Sequence, residues 1–127
     1  ADHALVQAVS RATSENKGIV LENLVYIALR RSGDHICYYK TSRGDEIDFA
    51  VGPDVEMQLI QVCWELSKEN RTRERELKPL LDGMEELGLQ ESWIITAYEE
   101  EEFKDKQTGR VIHVVPAYSW LQWPRVS

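Results

Sequence analysis

The segment that most constrains the fold is residues 18–32, which read GIVLENLVYIALRRS. Apolar side chains recur at helical spacing around most of its circumference, Arg30 and Arg31 close it, and Gly33 follows, which is the pattern of a helix. A helix that is apolar nearly all round has to be buried against another layer of structure. We therefore expect residues 18–32 to form a helix that packs against a β-sheet.

Three strand-like segments follow this helix. Residues 35–40 (HICYYK) and 46–51 (EIDFAV) are rich in β-forming residues and flank a turn-like TSRGD, which predicts a hairpin with Gly44 at its tip. A second turn over residues 52–54 (GPD) leads into residues 55–66 (VEMQLIQVCWEL), which predict a third strand. The first half of the chain therefore predicts a helix followed by an antiparallel meander.

The second half combines a charged helix with further strands. Residues 71–87 have helical patterning and end before Gly88, although Pro79 predicts a kink or a restart. Residues 92–98 (SWIITAY) predict a central strand that pairs with the meander, and residues 110–115 predict a last strand; the intervening EEEE and KDKQTG predict an exposed loop. The whole chain predicts one mixed α/β domain in the order helix, three strands, helix, two strands.

Composition limits the classes of partner. No apolar run approaches the roughly 20 residues needed to cross a bilayer, and residues 1–11 lack the pattern of a signal peptide, so we expect a cytoplasmic protein with no membrane partner. A net charge of −7 disfavours general nucleic-acid binding, which depends on clustered Lys and Arg. A local basic patch at residues 71–75, interrupted by Glu74, leaves nucleic acid open as a partner. Cys37 and Cys63 are expected to be buried free thiols, and the histidines match no zinc spacing.

Polar side chains interrupt the apolar pattern in three elements that should pack together. Glu22 lies in the first helix, Glu46 and Asp48 in the second strand, and Gln61 in the third. Buried charges are costly unless they are paired, hydrogen-bonded or bound to metal, so these positions predict a shared site. Each also has a structural alternative: an ion pair for Glu22, exposure near the turn for Glu46, a turn anchor for Asp48, and a hydrogen bond across the sheet for Gln61.

Strict alternation of side chains predicts how these residues divide between the faces of the sheet. In the third strand, alternation places Gln61 and Cys63 on the face that carries Leu59. In the second strand it predicts two sets, Glu46, Asp48 and Ala50 on one face and Ile47, Phe49 and Val51 on the other.

The order of these polar residues resembles the PD-(D/E)xK nuclease layout, here G-I-V-L-E, then G-D-E-I-D-F, then I-Q-V-C. Over nearly its whole length, through ENLVYIALRRSG, YYKT, GDEIDFAV, LIQVCWEL, TRERELKPL and IHVVPAYSWL, the chain resembles the C-terminal restriction-endonuclease-like domain of a family of prokaryotic AAA-type P-loop ATPases. The resemblance implies a restriction-endonuclease-like α/β core. It also implies that an ATPase domain and a winged-helix segment precede residues 1–127 in a longer protein. A G-x-x-x-x-G-K-[ST] phosphate loop does not occur in the sequence, so the ATPase would lie outside it.

The resemblance also assigns roles to individual residues. Glu22 and Asp48 match the first two acidic positions, where carboxylates would hold Mg²⁺ or Mn²⁺. Gln61 occupies the third acidic position and Cys63 the lysine position, and neither an amide nor a protonated thiol supplies the missing charge. Two replacements are conceivable: Lys40, from the neighbouring strand of the hairpin, for the lysine, and Glu46, which shares a face with Asp48, for the carboxylate.

Three functions remain open at this point. The leading hypothesis is a catalytically inactive, nuclease-like module that acts in recognition or regulation beside an ATPase domain. The second is a metal-dependent nuclease that uses Glu22, Glu46, Asp48 and Lys40. The third is a protein-interaction domain whose contact surface is the acidic loop or the aromatic tail with Trp120 and Trp123.

Overall fold

The chain is described by a computed structural model over residues 16–32, 35–52, 57–66 and 70–122. Within these ranges the helices are α1 (Lys17–Ser32), α2 (Asn70–Leu87) and α3 (Ala117–Gln122). The strands are β1 (Ile36–Lys40), β2 (Glu46–Val51), β3 (Gln58–Val62), β4 (Glu91–Thr96), β5 (Glu101–Lys104) and β6 (Val111–Pro116). None of the helices in the described ranges combines the length and the hydropathy required to span a bilayer.

The strands form one mixed six-stranded sheet in the order β1-β2-β3-β4-β6-β5. The first three strands are an antiparallel meander, as predicted. Beyond them, β4 runs parallel to β3 and to β6, and β5 pairs antiparallel with β6 at the edge. The prediction of a central strand at residues 92–98 is confirmed, because β4 lies between β3 and β6.

Helices cover the sheet on both sides, and each side has its own core. The cluster on one side, here the α2 face, joins Leu77, Leu80 and Met84 of α2 to buried side chains of the strands. The cluster on the other side, here the α1 face, joins Leu21 and Val25 of α1 to the buried Trp120 of α3 and to the sheet. The sheet is therefore the middle layer of a three-layer α/β arrangement.

Two predicted elements have the expected bounds for the expected reasons. α1 buries Leu21, Val25 and Leu29, which are spaced one helical turn apart, against the sheet. Gly44 adopts a positive φ of 88° at the tip of the β1–β2 hairpin, and its N–H donates to the carbonyl of Thr41 at 2.9 Å. Residues 53–56 of the predicted second turn and third strand lie outside the described ranges.

We predicted that Pro79 would kink helix α2 or mark a restart, and the restart does not occur. The helix runs without interruption through Pro79 to Leu87, and Gly88 ends it with a φ of 71°. Proline removes the hydrogen bond to the carbonyl four residues earlier, which belongs to Arg75, an exposed residue. Because the helix continues, packing of its apolar face against the sheet outweighs the lost bond.

The exposed loop predicted between the last two strands was wrong in part. Residues Glu101–Lys104 form β5, and alternation along it turns Phe103 towards the core of the α2 face. The strand closes as a hairpin onto β6, with the N–H of Asp105 donating to the carbonyl of Arg110 at 2.8 Å. The sequence did not predict β5 because three of its four residues are charged and have low β-propensity. Pairing with β6 stabilises the strand instead.

Candidate functional site

A β-bulge in β2 sets the geometry of the candidate site. Between the pairs Cys37–Ala50 and Tyr39–Ile47, β2 contributes two residues, Asp48 and Phe49, where β1 contributes only Tyr38. The extra residue interrupts alternation, so our assignment of faces in β2 was wrong for Ile47, although Phe49 and Val51 share a face opposite Ala50 as predicted. Ile47 and Ala50 belong to the core of the α2 face, whereas Phe49 and Val51 belong to that of the α1 face. Bulges re-aim side chains in this way and are common beside active sites.

The predicted faces of β3 are confirmed. Leu59 and Cys63 contact the core of the α2 face, whereas Ile60, Val62 and Trp64 contact the core of the α1 face. No bulge interrupts the pairing of β3 with β4, so alternation holds there.

Beside the bulge, side chains replace the backbone bonds between β2 and β3. The antiparallel ladder ends at the Phe49–Ile60 pair, and Asp48 and Gln61 are the next residues along the two strands. The N–H of Asp48 donates to Oε1 of Gln61 at 2.8 Å, and the N–H of Val62 donates to Oδ2 of Asp48 at 2.8 Å. Each side chain thus accepts a hydrogen bond from a backbone N–H of the opposite strand. Together the two hydrogen bonds link β2 to β3 beyond the last backbone pair, at a junction here called the fork.

These crossed bonds predict that Gln61→Leu destabilises the protein. Leucine keeps most of the side-chain volume but removes the acceptor of the Asp48 N–H, and leaving a buried donor unpaired costs about 1–2 kcal/mol. Urea denaturation should show that loss. Gln58→Leu, at the exposed end of the same strand, is the matched control. An equal change in both variants would mean that the Gln61 carbonyl contributes nothing to the fork.

Three of the predicted carboxylates line one open cleft, here called the acidic cleft, between α1 and the β1–β2 hairpin. Its volume is about 350 Å³, and it is lined by Glu22 and Tyr26 of α1, Tyr38 of β1, and Glu46, Asp48 and Phe49 of β2. Tyr26 stacks on Phe49 with ring centroids 6.2 Å apart, which fixes one wall. The structure therefore places Glu22, Glu46 and Asp48 in the wall of the same cleft.

The acidic cleft makes the ionised form of Asp48 unfavourable. Burial is the largest cause, and the charges of Glu22, Glu76 and Glu46 add to it, so that the pKa of Asp48 rises to about 6. The hydrogen bond from the Val62 N–H opposes this shift by stabilising the carboxylate. A cation bound in the cleft would remove much of the penalty.

The other two predicted positions are occupied by neutral groups with structural partners. The amide oxygen of Gln61 is engaged by the Asp48 N–H. The Cys63 thiol donates to the carbonyl of Glu65 at 3.0 Å, and burial, together with the charge of Glu76, raises the pKa of Cys63 to about 12. The thiol is therefore protonated at neutral pH and supplies neither a nucleophile nor a positive charge. The expected burial was wrong for the other cysteine, Cys37, which is exposed on β1.

Lys40 is not part of the wall of the acidic cleft. It lies opposite Glu46 in the β1–β2 ladder and is exposed. Of the surfaces considered for protein interaction, Trp120 is only 2% exposed and packs in the core, which excludes it as a contact residue, and Trp123 lies outside the described residues.

Glu76 is a carboxylate near the site that the sequence did not single out. It lies on α2, burial raises its pKa, and its charge acts on both Asp48 and Cys63. It sits in a charged stretch, RERELK, that reads as a solvated helix face. Helical spacing was the available signal, because Glu76 precedes the buried Leu80 by four residues and so shares its face.

The arrangement has the charge for cation binding, but its donors are dispersed. Asp48 is half-buried with one oxygen engaged by Val62, whereas Glu46 is exposed at the end of its strand. Across residues 16–32, 35–52, 57–66 and 70–122, no three acidic, histidine or cysteine side chains converge closely enough to hold one metal ion. An Mg²⁺ or Mn²⁺ ion would fit the oxygen chemistry of Glu22, Glu46 and Asp48 only after these side chains moved together.

Comparison with known proteins places the chain in a family. It is 35% identical over 120 residues to an uncharacterized protein of Methanocaldococcus jannaschii, an alignment that covers 87% of this chain and 26% of the relative. The chain therefore spans about a quarter of the length of that relative. A family profile described as a domain of unknown function, DUF4143, matches residues 17–120, which include α1, the whole sheet and the acidic cleft. The chain belongs to the DUF4143 family.

Proposed function

We propose that this chain is a nuclease-like module without catalytic activity, which acts in recognition or regulation beside an ATPase domain of the same protein. The crossed hydrogen bonds between Asp48 and Gln61 carry the proposal. In a PD-(D/E)xK site the side chains at these two positions would bind a metal ion, whereas here both accept hydrogen bonds that link β2 to β3. Cys63 occupies the lysine position and its thiol is protonated, so this position does not supply the cation that such a site needs.

The family and the architecture support the surrounding part of the proposal. Domains of this family commonly occur with AAA ATPases, and the matched relative is about four times as long as the segment that aligns. A mixed sheet between helices, with acidic residues contributed by α1 and β2, agrees with a restriction-endonuclease-like core. Fold resemblance alone does not establish catalysis, and the inactivity that we propose follows from the individual side chains Asp48, Gln61 and Cys63.

A second candidate, a metal-dependent nuclease, is favoured by one observation. Glu22, Glu46 and Asp48 line the same cleft, and their mutual repulsion would be relieved by a divalent cation. This candidate requires metal binding and cleavage of nucleic acid by the native chain.

Restoring the missing groups tests the proposal. In Gln61→Glu/Cys63→Lys, the third acidic side chain and the cation of the layout are restored. Because the new carboxylate can coordinate the ion directly, whereas the lysine would act on the attacking water, we expect Mn²⁺ to bind at least about tenfold more tightly than to the native chain, which is about 1.4 kcal/mol. Calorimetric titration with Mn²⁺ measures this, and a panel of DNA and RNA substrates tests cleavage by both proteins. Thermal melting should first show that the variant is folded, because Cys63 is partly buried.

The controls separate site restoration from added charge. Gln58→Glu places the same carboxylate at the exposed end of β3 and should leave Mn²⁺ affinity unchanged. Asp48→Ala in the restored background should abolish the gain. Cleavage by the native chain, lost in Asp48→Ala, would refute the proposal and establish the second candidate.

A further inference from the structure

The size and lining of the acidic cleft suit an organic cation better than a bare metal ion. A water molecule takes up about 30 Å³ of liquid volume, so a cleft of about 350 Å³ accommodates a side chain together with solvent. Part of the wall is aromatic, and Tyr38 is 65% exposed at the edge strand. Aromatic faces attract guanidinium and ammonium groups, which also have an apolar stem to bury.

The negative charge of the acidic cleft and of the whole chain also favours a positively charged ligand. Glu22, Glu46 and Asp48 face the cleft, and the whole chain carries a net charge of −7. A phosphate backbone would be repelled by both, whereas a basic protein segment would be attracted. Within α1 itself, the guanidinium carbon of Arg30 lies 5.9 Å from the centroid of the Tyr26 ring, one helical turn away.

We propose that the acidic cleft binds an arginine side chain from a basic segment of a protein partner. The guanidinium would donate to the carboxylates of Glu46 and Glu22, and its plane would stack on Tyr38. Arginine is preferred to lysine because its planar fork pairs with carboxylates in a bidentate manner and stacks on aromatic rings. This inference rests on the proposed function, since docking replaces catalysis as the use of the same cleft.

Peptide titration tests the inference directly. The probe is acetyl-triarginine amide, and its neutral isostere, acetyl-tricitrulline amide, is the chemical control; both are titrated without divalent metal at low salt and followed by amide NMR. We expect the arginine peptide to shift resonances of cleft residues, with Tyr38 and Glu46 prominent, and the citrulline peptide to shift none. We also expect Glu46→Gln and Tyr38→Ala each to weaken arginine binding by about five- to tenfold.

Matched variants outside the cleft exclude general attraction to an acidic protein. Glu100→Gln removes an exposed charge beyond β4, and Tyr118→Ala removes an aromatic ring that is 60% exposed on α3. Both should bind the arginine peptide as the native chain does. Equal weakening in these controls, or equal binding of the citrulline peptide, would overturn the inference.

The cleavage panel distinguishes the failure of this inference from that of the proposed function. A native chain that neither cleaves nucleic acid nor binds the arginine peptide leaves the proposed function standing and removes only the arginine site. A native chain that binds Mn²⁺ in the cleft, cleaves nucleic acid and ignores the peptide overturns both.

Discussion

Asp48→Asn should increase the free energy of unfolding by about 2–3 kcal/mol near neutral pH. The folded-state pKa of Asp48 is about 6, against an ordinary value of 3.8. Between these values the native state binds more protons than the unfolded chain, so this group's contribution to stability falls as pH rises. Above about pH 6 the whole penalty is present, and it is absent below about pH 4. Asparagine has no charge to lose, yet its carbonyl can still accept the Val62 N–H.

Urea denaturation of both proteins across this pH range measures the effect. The two stability curves should nearly meet at the acidic end and diverge as pH rises towards neutrality. Asp48→Ala isolates the hydrogen bond, because it also removes the charge but leaves the Val62 N–H without its acceptor, so it should be less stable than Asp48→Asn by about 1–2 kcal/mol. Glu100→Gln, at an exposed position, is the control for a general effect of net charge. A constant difference between Asp48→Asn and the native chain at every pH would refute a raised pKa.

The parts of the fold that the sequence predicted well are those with strong local patterns. α1 and α2 follow from helical spacing and glycine stops, and β4 follows from an apolar run between turn signals. β5 was missed because its residues are mostly charged, and it is a strand only by virtue of pairing with β6. Pro79 had the opposite effect, because it predicted a possible restart of the helix at a position where tertiary packing keeps the helix continuous.

The candidate site was predictable in composition but not in geometry. Glu22, Asp48 and Gln61 were grouped because their three elements were expected to pack together and because their order resembles the PD-(D/E)xK layout. The bulge opposite Tyr38, however, depends on the register between two strands, which no pattern within β2 reveals. Glu76 differs from the bulge, because its helical spacing from Leu80 was a usable signal that the many charges of the helix obscured.

Gly83→Val should destabilise the protein by about 3 kcal/mol, since overpacking a tight core typically costs 1–3 kcal/mol and both methyl groups would need space. Gly83 lets α2 approach the sheet closely. A Cβ atom there would lie 2.7 Å from Cδ1 of Ile47 and 2.9 Å from Cδ1 of Leu59, and both of these side chains are fully buried. Neither can move without displacing its neighbours in the core of the α2 face.

Two further variants separate packing from helix propensity at this position. Gly18→Val changes a glycine of α1 whose Cβ would meet no atom within 4 Å, so the gain in helix propensity should keep stability at or slightly above that of the native chain. Gly83→Ala gains about 1 kcal/mol of propensity but still brings Cβ too close to Ile47, so it should fall between the native chain and Gly83→Val. Thermal and urea denaturation of the three variants measure this order. Because Ile47 immediately precedes Asp48 in β2, displacement of Ile47 by Gly83→Val should also shift the amide resonances of Asp48 and Val62. If these resonances did not shift, the bulge in β2 would be held in place independently of α2.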